Sequence, residues 1–351
     1  MRHESRLSER RAPIVPDDAR MLAAAGVELV VEASPQRAFA LRDYEAAGCR
    51  VVPEGSWGKA PAEDCIVGLK EPSVEPWALR HRHVFFGHAF KGQPGGPALL
   101  ERFAVGGGEL LDLEYLVDGR GRRCAAFGYW AGYAGAALAI LHRAGLLDAP
   151  VGPTSRNDLD ALLRACRGPA RAGGSGSALV TGAWGRCGRG ARDALAEAGV
   201  DTTCWGSGET ESLRREQLLA HDVLVNAIGT DRPVSPFLTP EDLMAPGRRL
   251  SLLCDVTCDL GSPYNAVPVY DRLTDWEAPV TRLRGGGHPL DVIAIDNLPS
   301  LLPAEASRDF SAALAPHLLA LATGRTGGRA WERSRNAFLL AVGTGTARRA
   351  A

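Results

Sequence analysis

"ALVTGAWGRCGRGARDALAEAGVDTTCWGSGET", Ala178 to Thr210, decides the fold. An apolar strand runs into a glycine-rich turn, an alanine-rich helix follows, and a second strand closes at Cys204-Trp205-Gly206. Strand, turn and helix in that order open a dinucleotide-binding unit. Glycines let the backbone approach a pyrophosphate, and the N–H groups at the helix start offer it partners. The glycines Gly182, Gly185 and Gly188 are spaced GxxGxxG rather than GxGxxG, so the motif needs context. "HDVLVNAIG", ending at Gly229, supplies it as an apolar strand running into small residues and Ile228. Residues expected to line the nucleotide are Gly182, Gly185, Arg186, Cys187, Gly188 and Ile228.

An NAD-binding unit usually ends its second strand in an acid that binds the ribose hydroxyls; here that position is Gly206. Losing the carboxylate removes the repulsion of a 2′-phosphate. Arg186, Arg189, Arg214 and Arg215 lie close enough in sequence to serve such a phosphate, while Glu209 is close enough to reach back to the ribose. NAD and NADP both stay open.

The rest of the chain bounds the answer. Its 351 residues, 45% hydrophobic and 23% charged, exceed what one core comfortably holds and predict two domains. Forty Lys and Arg against 41 Asp and Glu leave a net charge of -1, no field for nucleic acid or an anionic membrane. No apolar run has the roughly 20 residues of a spanning helix, and the charged start "MRHESRLSERRAP" carries no signal core, so a cytoplasmic protein is expected. Eight cysteines without a CxxC pair or a histidine cluster predict neither a metal site nor a required disulfide.

Along the first 123 residues, "VELVVEA", "RVVP", "DCIVGLKE", "HVFFGHAF" and "ELLDLEYLV" alternate with helical runs and predict a mostly parallel sheet covered on both faces. Ala125–Gly145 is apolar and rich in small residues, a buried helix linking two domains. A loop-rich stretch follows, with a short helix near Asp158–Cys166. "ALVTGA", "DTTCW", "DVLVNAI", "RLSLLCDV" and "VIAIDNLPS" then read as strands of a second α/β domain, and "RAWERSRNAFLLAV" as a terminal helix. The expected architecture is α/β: two Rossmann-like, doubly wound parallel-sheet domains separated by an active-site cleft. Residues 1–125 with 305–351 form the catalytic and substrate domain, and 126–304 the dinucleotide-binding domain.

"IVGLKEP" (Ile66–Pro72), "FGHAFKGQ" (Phe86–Gln93), "LLDLEYLVDGRGRRCAAFGYWAGYAGAA" (Leu110–Ala137), "GAWGRCG" and "VIAIDNLPSLLPAEAS" (Val292–Ser307) together resemble the lysine-forming saccharopine dehydrogenases, in the superfamily of alanine dehydrogenase and the transhydrogenase nucleotide domains. The resemblance implies oxidation of a secondary amine by NAD or NADP, hydrolysis of the imine, and release of lysine and 2-oxoglutarate, or the reverse. It implies Lys70 and His88 as the acid/base pair, tuned by Glu71 and Glu114. It assigns Arg11 and Arg123 to substrate carboxylates, Lys91 and Gln93 to the same pocket, and Asp296, Leu298 and Pro299 to the cofactor wall.

The residue chemistry agrees. Imine formation and hydrolysis move protons on nitrogen and oxygen near neutral pH, which suits a histidine and a lysine whose proton affinity burial or cations can lower. A substrate with several carboxylates suits the arginine fork. Arg6 stands where the family often has lysine. Asp296 could also cap the following helix. Cys187 has no cysteine to pair with, because the family's partner position is Ala227, and it reads as packing.

The expected partners are a small-molecule amino acid and a 2-oxo acid, with the chain acting as a monomer or homodimer. The abundance of Ala, Arg and Gly leaves room for a reductase that joins a different amine or oxo acid. A non-catalytic nucleotide sensor should have lost Lys70, His88, Glu114 and Asp296, and all four are present.

Overall fold

The computed structural model describes the chain except residues 91, 92, 94, 168–175, 231–233, 263, 325–328, 350 and 351. Lys91, expected in the substrate pocket, therefore lies outside the described residues. The chain divides into two compact units, Met1–Ala126 with Pro303–Ala351, and Phe127–Leu302.

The first unit carries strands β1 (Val30–Glu32), β2 (Arg50–Val52), β3 (Cys65–Val67), β4 (Arg82–Phe85) and β5 (Glu109–Asp112), with helices α1 (Pro16–Ala24), α2 (Leu41–Ala46) and α3 (Gly96–Gly106) between them. Every strand pair is parallel: β1 with β2, and β3-β4-β5 with Cys65 opposite Arg82 and Phe85 opposite Asp112. The first residues join the two groups, since Glu32 N–H donates to Met1 O and Arg2 N–H to Val67 O, both at 3.0 Å. Trp57, Ile66, Phe85, Leu99, Phe103 and Leu110 build the core. His83 sits among these rings, and burial pulls its imidazole down to about 2, so it is a neutral packing group.

The second unit opens with α4 (Gly128–Arg143) and α5 (Arg156–Ala165). It continues through β6 (Ser177–Thr181), α6 (Arg186–Glu197), β7 (Asp201–Trp205), α7 (Ser207–Glu211), α8 (Arg215–Leu219), β8 (Val223–Asn226), β9 (Leu252–Asp255), β10 (Thr281–Arg284) and β11 (Leu290–Ile293). The sheet runs β10-β11-β9-β8-β6-β7, parallel except for β10. Burial follows that order. Inner strands β8, β9 and β11 are buried at every residue, as strands covered on both faces must be, whereas edge strands β7 and β10 keep exposed or half-buried positions. From β6 the chain crosses first to β7 and then back to β8 on the other side, which places a topological switch point between β6 and β8. The α/β architecture with parallel sheets is borne out. β10, an antiparallel addition at the edge, was not anticipated, because "TRLR" has no apolar run to mark it.

The apolar segment read as a linking helix is α4, and it lies wholly within the second unit. It packs on α6 through glycines. A Cβ at Gly132 would lie 1.7 Å from Cys187 O, and one at Gly190 1.9 Å from Tyr129 O. The chain then returns to the first unit as α9 (Pro303–Thr323) and α10 (Arg329–Arg349). Among the described residues, no helix is long and apolar enough to cross a membrane.

Because backbone stands where a methyl would go, Gly132→Ala must push α4 and α6 apart. Urea unfolding is expected to show a loss of about 1–3 kcal/mol; an unchanged midpoint and slope would contradict this helix contact.

Candidate functional site

In the first unit the sheet ladder runs on past β3 and β4: Gly68 N–H donates to Val84 O (2.9 Å) and Phe86 N–H to Leu69 O (3.0 Å). β3 ends at Val67 and β4 at Phe85, so Lys70 and His88 each lie three residues beyond, at adjoining positions on the carboxyl edge. β5 ends at Asp112, and Glu114 follows in a 3-10 turn. His88 Nδ1 lies 3.6 Å from Glu114 Oε1, and the imidazole stacks on Phe86. The backbone of His88 is left-handed, φ 49°, a conformation that costs a residue with a Cβ roughly 1 kcal/mol or more.

Two buried carboxylates hold this edge, and neither stood out in the sequence as a site residue. Glu4 accepts from Leu69 N–H (2.6 Å) and Lys70 N–H (3.1 Å) and pairs with Arg2 (3.3 Å), whose guanidinium also donates to Lys70 O. Asp112, fully buried, accepts from Glu114 N–H through Oδ1 (2.9 Å). The amides of Gly87 and His88 face the same carboxyl, although Oδ2 makes no hydrogen bond of good geometry. Burial outweighs these amides, and the nearby Glu114 charge adds to it, so the Asp112 carboxyl is pushed up to about 7.

A third acid, Glu9, forms a buried fork with Arg11 at 2.7 and 2.6 Å. Burial opposes its charge, but the Arg11 charge and hydrogen bonds, with the Lys70 charge, hold its carboxyl below the usual range. Lys70 is therefore within electrostatic reach of the Glu9–Arg11 pair. Glu71 instead turns to Arg102, 3.2 Å away. Arg6 and Arg123 are exposed, and Gln93 is half-buried.

In the second unit the glycine loop is a cradle that side chains would fill. Gly182 has φ 66°, and a Cβ there would lie 2.8 Å from Ala227 O and 2.9 Å from the Ile228 side chain, so the loops after β6 and β8 touch at the switch point. A Cβ at Gly188 would lie 2.2 Å from Gly182 O. Gly185 is the N-cap of α6, with Gly185 and Arg186 exposed at its start. This arrangement fits a dinucleotide pyrophosphate. Beneath it, Thr181 Oγ1 donates to Asn226 Oδ1 (2.9 Å), Asn226 Nδ2 to Asp255 Oδ1 (3.0 Å) and Tyr270 OH to Asp255 Oδ2 (2.6 Å), tying together the ends of β6, β8 and β9. These residues are far apart in sequence, and only the sheet order brings them together. Cys187 packs on α4: a Cβ at Gly128 would lie 3.1 Å from its Sγ.

Gly206 stands beside an indole. A Cβ there would lie 2.9 Å from Cδ1 of Trp184, an exposed indole on the glycine loop that Arg192 stacks against at 4.6 Å. The carboxylate returns from three residues on, since Glu209 Oε2 accepts from Gly206 N–H at 2.8 Å, and this bond holds the Glu209 carboxyl below the usual range. Asp296 is exposed, and the N-cap of the turn after it is Asn297, φ 72°, so the alternative reading of Asp296 as a cap fails. Leu298 and Pro299 are buried, with Leu298 against Gly135 of α4.

Comparison with known proteins bears on family and fold. Residues 1–134 match the family model "Alanine dehydrogenase/PNT, N-terminal domain". Proteins named saccharopine dehydrogenase [NAD(+), L-lysine-forming] are similar along nearly the whole chain. That of Emericella nidulans is 40% identical over 98% of this chain and 97% of its own, and that of Neurospora crassa 41% identical over 96% and 94%. Among solved structures, an L-alanine dehydrogenase superposes with a TM-score of 0.67 over 97% of this chain and 94% of its own. A transhydrogenase from Sinorhizobium meliloti does so with 0.59 over 91% and 92%; each is 18% identical and supports the two-domain Rossmann-type fold.

The Asp112 environment has a measurable consequence. Unfolded, the carboxyl ionises near 3.8, and folded at about 7. Between those values the folded state holds the extra proton, so stability falls as pH rises through the window, by on the order of 4 kcal/mol. Urea unfolding of Asp112→Asn should gain on the unsubstituted protein from about pH 4 to about pH 8. A difference that stays flat would contradict the buried, proton-holding carboxyl.

Proposed function

The chain belongs to the family of NAD-dependent, lysine-forming saccharopine dehydrogenases, and from that premise we propose that it oxidises saccharopine reversibly to lysine and 2-oxoglutarate. Water is consumed, one hydride is transferred to NAD, and one proton is released. The observation that carries the proposal is Lys70, His88 and Glu114 on one carboxyl sheet edge, in a chain 40% identical to such a dehydrogenase over 98% of its length.

His88 and Lys70 are the proton-transfer groups. One takes the proton that leaves the secondary amine as the imine forms, and the other moves the proton of the attacking water and the carbinol oxygen. Glu114 lies 3.6 Å from His88 Nδ1, placed to pair with the ring when it carries the proton. The Glu9–Arg11 pair lies within electrostatic reach of Lys70, while Glu71 pairs with Arg102. Arg6, Arg11, Lys91, Gln93 and Arg123 are assigned to the substrate carboxylates, with Arg11 oriented by its Glu9 fork.

Gly182, Gly185, Arg186 and Gly188 would hold the pyrophosphate of NAD, with Ile228, Asp296, Leu298 and Pro299 beside the rest of the dinucleotide. When bound, the nicotinamide supplies hydride transfer to or from the carbon that bears the nitrogen. We assign NAD rather than NADP, because the Glu209 carboxylate stands at the end of β7, where a 2′-phosphate would meet its charge. The near-balanced charge supports small-molecule partners rather than a polyanion, and a cytoplasmic monomer or homodimer is part of the same proposal.

Initial rates with NADH or NADPH, 2-oxoglutarate and lysine, ornithine or glutamate test the assignment. Lysine with NADH should be the best pair. A better amine would overturn the substrate and keep the reaction class, and no turnover with any pair would overturn both. Lys70→Met and His88→Gln should each lower kcat by about 100-fold or more. Glu209→Gln should raise the ratio of kcat/KM for NADPH over NADH by about tenfold; an unchanged ratio would remove Glu209 from cofactor choice.

A further inference from the structure

Asp112 is a carboxyl that the fold has reason to avoid. It is fully buried at the end of β5, forms no ion pair among the described residues, and opposes stability across the neutral range. What it touches is the backbone of the proposed acid/base groups. Its Oδ1 accepts the amide of Glu114 at 2.9 Å, and the amides of Gly87 and His88 face it from the end of β4. A Cβ at Gly87 would lie 3.2 Å from Asp112 Oδ2 and 2.6 Å from Leu110 Cδ2, so the β4 edge is seated directly on the carboxyl. From the other side, α10 holds the Asp112 backbone, with the buried Ser334 Oγ donating to Asp112 O at 3.0 Å. The strained backbone of His88, φ 49°, thus rests on a group that also fixes Glu114.

We propose that Asp112 is a positioning residue of the proton-transfer site, binding the two turns that carry His88 and Glu114 so that imidazole and carboxylate stay in register. The inference rests on the assignment of His88 to proton transfer. The groups facing Asp112 are Glu114 and Tyr115 on its own turn, His88 at the end of β4, and the neutral Ser334 of α10. Ionised, Asp112 adds a second negative charge behind Glu114 and favours the imidazolium; as the amide, it keeps one acceptor for the Glu114 N–H and loses that charge.

The test compares the full chain with Asp112→Asn and Asp112→Ala, reading kcat/KM against pH with saccharopine and NAD, and the His88 imidazole by NMR titration, its signal assigned with His88→Gln. Expected is a downward shift of the His88 titration by roughly half a pH unit or more in Asp112→Asn, the same shift in the matching limb of the rate profile, and little change in KM. Asp112→Ala should lose about tenfold or more in kcat, with Asp112→Asn recovering part of it. A purely structural carboxyl would alter stability and leave both titrations in place, and that result overturns the proposal. If saccharopine is not turned over by the unsubstituted protein, the functional assignment falls, while the NMR shift still decides whether Asp112 controls His88. If Asp112→Asn does not fold, the unsubstituted protein decides: the His88 signal must show a second inflection near neutral pH as Asp112 ionises, and a single inflection overturns the proposal.

Discussion

Buried carboxylates at the ends of parallel strands are the constraint on which the first unit depends. A parallel strand ends in amides that nothing in the ladder satisfies, and a buried amide left unpaired costs roughly 1–3 kcal/mol. Glu4 takes two of them at the end of β3, and Asp112 takes the amide beyond β5 and faces those beyond β4. Acceptors of this kind let the chain turn sharply away from the sheet at Lys70, His88 and Glu114. Three chemically active side chains consequently start from one edge, on backbone that has few alternatives. The arrangement resembles an enzyme site in the physical sense: strain at His88 and burial of Asp112 are both tolerated where they set geometry.

In the second unit the governing constraint is close approach of backbone. Gly132, Gly182, Gly188 and Gly190 each stand where a Cβ would overlap a carbonyl, so α4, the glycine loop and the start of α6 can meet only with these residues. Gly206 faces a side chain rather than backbone. Trp184 lies beside the position that a side chain there would take, and the Glu209 carboxylate accepts from the Gly206 amide from the next turn.

Much of this was legible in the chain. The glycine spacing after "ALVT", the apolar runs of β8 and β9, and the edge positions of Lys70 and His88 all follow from local pattern, because the period of a buried strand and the chemistry of a tight turn are local properties. What escaped was carried by long-range contact. Glu4 reaches Leu69 and Lys70 across more than sixty residues, and nothing in "MRHES" marks it. Asp112 lay in a quoted motif, yet its importance rests on the β4–β5 register. Glu71, adjacent to Lys70 in sequence, pairs with Arg102, thirty-one residues further along the chain. Asp296, assigned to the cofactor wall, was also read as able to cap the next turn, but the N-cap falls one residue later at the left-handed Asn297.

The central claim is that Lys70 and His88 form one acid/base pair set by this sheet edge. The pH dependence of kcat/KM for saccharopine, measured for the unsubstituted protein and for variants lacking either group, tests it most directly. The account predicts a profile bounded by two ionisations, of which the loss of His88 removes one and the loss of Lys70 the other. A profile that keeps both limbs in either variant would contradict it.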